Sequence, residues 1–327
     1  VLSGVDASLF VIDAVDGVRP LTKRMWAAVQ KAGLPTVCAV TKLDRDRADF
    51  DAAFSGLGAV LGMRTVLLYA PIGSQADFKG VVDVLKSKAY MFGENGEVTE
   101  AAVPDDMAEE MAILRETSVE NIAESDDVLM EKYLEEGELT EEEVASGLRK
   151  GVLSRQIVPV VAVSGLENKR ASVLLDAIEA LLPSGLEHAP FQGAEGSELT
   201  PREDGPAACF VFKTVTDPFA GQLTMVRVLS GSIGSDTTPT NMTTGDNERL
   251  GAPILVVGKN QSQTKESMGP GAIVALAKLK NTRTGDTLSD EKLGFVFKAP
   301  ELPPQLISYA LAPKEKGDED KVYAAVQ

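Results

Sequence analysis

Histidine, tryptophan and cysteine are almost missing from this chain. Its 327 residues include one His, one Trp and two Cys, and aromatic residues make up 5%. One His with two Cys cannot fill a tetrahedral zinc site, and two distant cysteines give no disulfide framework. Cys38 in TVCAV and Cys209 in AACFVF are read as buried thiols of a reducing compartment. No apolar run approaches the ~20 residues that cross a bilayer, so no membrane partner is expected. A strand–helix G-x-G-x-x-G is also missing, which argues against a nicotinamide-dependent enzyme. Excess positive charge is lacking too. The net charge of −17 excludes simple electrostatic wrapping of nucleic acid by the whole surface. About nineteen carboxylates fall between Glu94 and Glu143, which leaves other faces free to be neutral or basic. The opening VLSGVDASLF has no Met, no basic leader and no polar lead-in. The expectation is a piece of a longer protein, cut inside a fold.

What is present is a change of periodicity along the chain. ASLFVIDA (7–14) is a short apolar run of the buried-strand kind, and PLTKRMWAAVQKAG follows with helical spacing at Leu21, Met25, Ala28 and Val29. PTVCAV supplies the next strand, completing a strand–helix–strand unit of parallel α/β type over residues 1–54. QIVPVVAV (156–163) is read as the third strand of that sheet. A helix closed by Pro183 follows, with Leu174, Ile178 and Leu181 on one face, so this part spans 156–184. Residues 55–155 then form an insertion, acidic and helical. It carries one helix marked by Met107, Met111, Leu114 and Ile122, and a second at 128–134 that stops at Gly137. A third opens on the T-E-E-E capping box of Thr140 and Glu143 and is closed by Gly151. Residues 185–206 read as a linker. ACFVFKTV, GQLTMVRVLSG, PILVVGK and GAIVALAKL are short strands between turns, as in a closed or nearly closed antiparallel barrel over 207–299. From 300 to 327 a further strand in PELPPQLISYALAP and a terminal helix in DEDKVYAAVQ are expected.

Two strand-end loops carry chemistry. VTKLDR (40–45) places Asp44 where a carboxylate can accept both N1–H and N2–H2 of a guanine. Adenine lacks that donor pair, so the contact discriminates. The stem of Lys42 can lie along the base, and Thr41 stands where the usual N-K-x-D has Asn. A lone K-x-D is a common solvated turn. The second loop, Ser164, Gly165 and Leu166, shifts that balance. It also follows an apolar strand and precedes a helix, where open α/β sheets bind ligands, and its N–H groups can meet guanine O6.

With these loops in place, the chain resembles elongation factor G, and more closely the bacterial elongation factor G-like paralogues. The likeness runs through GVDASLFVIDAVDGV, TKLDR, FKGVVDVLKSKAY, EKYLEEGELTEEE, IVPVVAVSGLENKRASVLLDAIEALLPS, FKTVTDPFAGQLTMVRVLSGSI and GPGAIVALAKLKNTRTGDTL. It implies a partial P-loop-GTPase-type parallel sheet with an inserted α/β subdomain, followed by an antiparallel translation-factor β-barrel and the start of a third domain. It also implies that Thr41, Lys42, Asp44, Ser164, Gly165 and Leu166 line the guanine subsite. Thr in the first position is also found in Rho-type small GTPases, and Gly165 replaces the usual Ala.

By the same resemblance the intact protein is a cytoplasmic monomer that uses GTP or GDP with Mg2+ and hydrolyses GTP on the ribosome. Its barrel meets ribosomal RNA, and its acidic insertion offers a face to a basic ribosomal protein. For Arg227 on the barrel a structural salt bridge is the expectation. No G-x-x-x-x-G-K-[ST] exists in these residues, and the single D-x-x-G, Asp77 to Gly80, lies in the insertion. Catalytic and metal-binding residues are therefore not expected here, and the chain alone is expected to hydrolyse no GTP and to bind nucleotide weakly or not at all. A non-catalytic ribosome-binding factor, a ribosomal-protection protein and a release factor remain as alternatives.

Overall fold

Apolar runs of about six residues that end in polar strand-end loops dictate the first half of the molecule. In a computed structural model that describes residues 1–93, 97–165, 171–217, 221–235, 237–298 and 307–326, these runs are β1 (Ser8–Asp13) and β2 (Thr36–Thr41). Between them α1 (Pro20–Ala32) starts on Pro20 and ends at Gly33, whose φ of 68° supplies a left-handed cap. The buried face of α1 is Trp26 and Val29. Leu21 and Met25, expected on that face, are exposed. The Trp26 ring meets Phe10 edge-on and its indole N–H donates to the Leu61 carbonyl, which fixes the helix over β1.

The chain continues through α2 (Phe50–Leu61) to β3 (Arg64–Ile72), β4 (Gly80–Asp83), β5 (Lys88–Phe92) and β6 (Val98–Ala101). Three helices follow, α3 (Ala108–Ala123), α4 (Asp127–Glu136) and α5 (Glu141–Leu153), then β7 (Ile157–Ala162) and α6 (Ala171–Leu181). The sheet order is β1-β2-β7-β3-β4-β5-β6. This corrects two expectations. The sheet does not wait for residue 156 to resume, because β3 already lies parallel to β7. Nor is 55–155 simply helical, because β4, β5 and β6 extend the same sheet as antiparallel strands. Strand β7 is buried throughout because it enters between β2 and β3, with helices on both faces.

Helix α5 opens on the predicted capping box, Thr140 with Glu143. It does not stop at Gly151 but runs to Leu153, because Gly151 serves packing. A Cβ there would lie 2.5 Å from Ile157 Cδ1.

Residues 185–206 are not a solvated linker. β8 (Phe191–Gln192) and β9 (Glu198–Leu199) pair as a short hairpin, and Phe191 and Leu199 are buried with Phe210, Leu229 and Phe295. His188 stacks on Phe191 at 4.1 Å and is half-buried. Beyond the hairpin come β10 (Ala208–Asp217), β11 (Gly221–Ser230), β12 (Thr240–Asn241), β13 (Ile254–Val257), β14 (Asn260–Gln263), β15 (Ile273–Ala277) and β16 (Thr287–Ser289). They form one antiparallel sheet of order β12-β16-β10-β11-β15-β13-β14, around a core that includes Cys209, Val226, Val228, Val274 and Leu288. The strand expected after residue 300 is not seen in 307–313, which is irregular; 299–306 lie outside the described residues. The terminal helix is present as α7 (Glu319–Val326).

Candidate functional site

The carboxyl ends of β1, β2 and β7 lie side by side, and the polar residues that end those strands meet there. The loop after β2 turns sharply because Lys42 adopts a left-handed φ of 64°. That conformation is uncommon for a residue with a Cβ and is held here by the surroundings. Arg45 N–H closes the turn on the Lys42 carbonyl at 3.1 Å. Leu43 is buried in the core and its carbonyl accepts the Gln75 N–H at 2.8 Å. With Leu43 pinned inward, its neighbours Lys42 and Asp44 are presented at the strand ends.

Asp44 is held from the second loop. The Ser164 hydroxyl donates to its Oδ1 at 2.6 Å, and Ser164 is itself buried. The side chain of Asp44 is 8% exposed, with Arg45 Nε 3.8 Å from Oδ2. A carboxylate oxygen has two lone pairs, so the Ser164 bond leaves both oxygens able to accept further donors. The two loops are joined at backbone level as well, since Val163 N–H donates to the Val40 carbonyl at 3.0 Å. Gly165 is exposed, and a Cβ built on it meets nothing within 4 Å, so the position tolerates either Gly or a small side chain.

Lys42 is held from β1. Its ammonium pairs with Asp13 Oδ2, while Asp13 Oδ1 accepts the N–H groups of Val15 at 2.8 Å and Asp16 at 3.3 Å. Partial burial pushes the Asp13 carboxyl up, but the Lys42 hydrogen bond and these two donors together hold it below the usual carboxylate range. Asp13 was not singled out from the sequence. The available signal was a carboxylate closing the apolar run ASLFVID. Thr41 lies opposite Asp13 in the parallel register, and its carbonyl accepts the Ala14 N–H at 2.9 Å. A shallow depression of about 370 Å³ lies over this corner, lined by Asp13, Val15, Asp16, Lys42, Arg45 and Asp46.

The fold therefore brings Thr41, Lys42, Asp44, Ser164 and Gly165 to one sheet end, and Leu166 lies outside the described residues. The arrangement offers a fixed carboxylate, an apolar lysine stem and an exposed backbone turn, which suits a planar ligand carrying adjacent N–H donors. Asp77 and Gly80 belong to the β3–β4 connection, with Gly80 buried at the start of an antiparallel strand. That is not the setting of a metal-sensing loop. Among the described residues no group of three or more His, Cys, Asp or Glu side chains could hold a metal ion.

Residues 1–184 match the family described as the elongation factor Tu GTP binding domain, and residues 206–291 match elongation factor G domain 2. A solved crystal structure from Thermus thermophilus superposes with a TM-score of 0.82 at 30% identity over 99% of this chain. This chain spans 47% of that one, about half its length.

Proposed function

We propose, from the premise that the chain belongs to the translational GTPase family of elongation factors Tu and G, that its strand-end corner reads the guanine base of GTP or GDP. The observation that carries this is the Ser164–Asp44 hydrogen bond, which fixes a carboxylate between two loops before any ligand arrives. Asp44 accepts N1–H and N2–H2, the backbone at Gly165 faces O6, and the Lys42 stem underlies the ring. Adenine offers no matching donor pair, so its nucleotides would leave the carboxylate unsatisfied, a penalty that underlies strong discrimination.

Phosphate binding and hydrolysis need a Gly-rich cradle and Mg2+, and the residues here supply neither. The chain by itself is proposed to bind guanine nucleotide weakly and to hydrolyse none. Strand β1 is outermost in the sheet, with Leu9 and Val11 at 41% and 55% exposure. That edge would accept a parallel strand carrying the phosphate loop. In the complete machine GTP hydrolysis would time a step of protein synthesis on the ribosome. The barrel would face ribosomal RNA, and the exposed carboxylates of α3 to α5 would face a basic ribosomal protein.

The test is a titration of the isotope-labelled chain with millimolar GDP, IDP and ADP, followed by amide NMR. GDP should shift Lys42, Asp44 and Gly165. IDP, which lacks the N2 donors, should shift them less, ADP should leave them in place, and Asp44→Asn should abolish the GDP response. Equal responses to ADP and GDP, or none at all, would remove the guanine reading for this chain.

A further inference from the structure

Among the described residues strand β1 is hydrogen-bonded on one side only, to β2. An edge strand has half the ladder restraint of an inner one, so its placement depends on what holds its ends. Both ends are held by a carboxylate and a cation. At the far end Asp13 pairs with Lys42 of the TKLD loop. At the near end Asp6, two residues before the strand, pairs with Arg227 of β11 in the barrel. The strand between them covers about 20 Å at ~3.3 Å per residue.

The near clamp is buried and only partly satisfied. The Arg227 side chain is 3% exposed and donates from Nη1 to the Gly271 carbonyl at 2.6 Å. Its Nε, and Oδ1 of Asp6, are buried without a hydrogen-bond partner. Burial pushes the Asp6 carboxyl up and the Arg227 guanidinium down, against the attraction between them. Such a pair adds little net stability. The surroundings are specific. A Cβ on Gly4 would sit 2.6 Å from Phe212 Cγ of the barrel, and one on Gly185 would sit 2.4 Å from Gly271 Cα. The far clamp is also tied by backbone, since Ala14 N–H donates to the Thr41 carbonyl and Asp49 N–H to the Ala14 carbonyl.

We infer that β1 is a tie between the barrel and the base-reading loop, and that Arg227 and Asp6 are positioning residues for that loop. The barrel's seat fixes Asp6, the strand carries that placement to Asp13, and Asp13 sets Lys42 and the turn that presents Asp44. The functional consequence rests on the guanine reading proposed above; the mechanical link does not.

The test therefore uses the nucleotide-free chain and residue-resolved amide hydrogen exchange. Arg227→Met should speed exchange at Ala14, Val15 and Arg45 by about fivefold or more, the lower end of coupling between distinct sites. Val160 in the sheet and Val274 in the barrel should keep their protection. Reciprocity requires Lys42→Met to speed exchange at Val228 and Gly271, whose N–H groups donate to the Ala272 and Val228 carbonyls beside the barrel clamp. If Arg227→Met unfolds the barrel, as loss of protection at Val274 would show, the exposed-site variant Lys42→Met decides alone. Changes confined to each mutated end, with the opposite end untouched, would overturn the inference. A chain that shows this coupling but no response to GDP would keep the tie and lose the guanine reading.

Discussion

Lys42 and Glu143 show how much a single residue's partners decide. Lys42 holds a left-handed backbone with a full side chain, and its ion pair with Asp13 and the buried Leu43 beside it keep that conformation in place. Glu143 is held by the Lys132 ammonium first, then by the Thr140 N–H and hydroxyl, and these hold its carboxyl down at about 2 against an ordinary 4.5. A carboxylate depressed on folding contributes stability that is complete above its unfolded value and disappears as pH falls through its folded one. Glu143→Gln should therefore lower Tm most above pH 4.5, with the gap to the native sequence closing as pH approaches 2. Thermal melts across that range check this. A gap that widens on acidification would contradict it.

At the scale of elements, glycine has opposite meanings in two helices. Gly58 in α2 has open space where a Cβ would stand, whereas a Cβ on Gly147 in α5 would meet Leu129 Cδ1 at 2.5 Å and Ile122 Cγ2 at 2.9 Å. Gly58→Ala should stabilise the chain by roughly 0.5–1 kcal/mol through backbone entropy. Gly147→Ala should instead cost about 1–3 kcal/mol, because overpacking against α3 and α4 exceeds the helical gain. Urea unfolding midpoints of the two variants should move in opposite directions. The sequence shows both simply as glycines and cannot say which faces a neighbour.

Across the whole molecule, the hairpin β8–β9 straps the chain onto the barrel through Phe191 and Leu199. Backbone bonds from Ala194 to Val296 and from Lys298 to Gln192 continue the attachment. Phe191→Ala should cost about 3–5 kcal/mol, as for other buried aromatic residues. It should also open the bond after exposed Arg202 to trypsin, which the native chain should resist. Calorimetry and timed digestion would read the two effects. Unchanged digestion together with unchanged melting would mean that the strap carries no load.

Several features are legible in the sequence. The strand-end placement of Thr41, Lys42, Asp44 and Ser164, the α4 and α5 boundaries near Gly137 and Thr140, and the main barrel strands follow from local periodicity and capping, which act over a few residues. Arg227, expected in a structural salt bridge, pairs with Asp6. Asp13 as partner of Lys42, Asp6 as partner of Arg227, and β3 inside the parallel sheet were not legible. Each depends on residues far apart in sequence: 29 positions for Lys42 and Asp13, 221 for Arg227 and Asp6. The sequence by itself determined the three parallel strands β1, β2 and β7, helices α1 and α3 to α6, the polar loops that end β2 and β7, and the main barrel strands, because those choices are local. Only the tertiary structure decided that β7 enters between β2 and β3 and that β1 is clamped at both ends. Those contacts follow from which strands share an edge, and neighbours in a parallel sheet need not be neighbours in the chain.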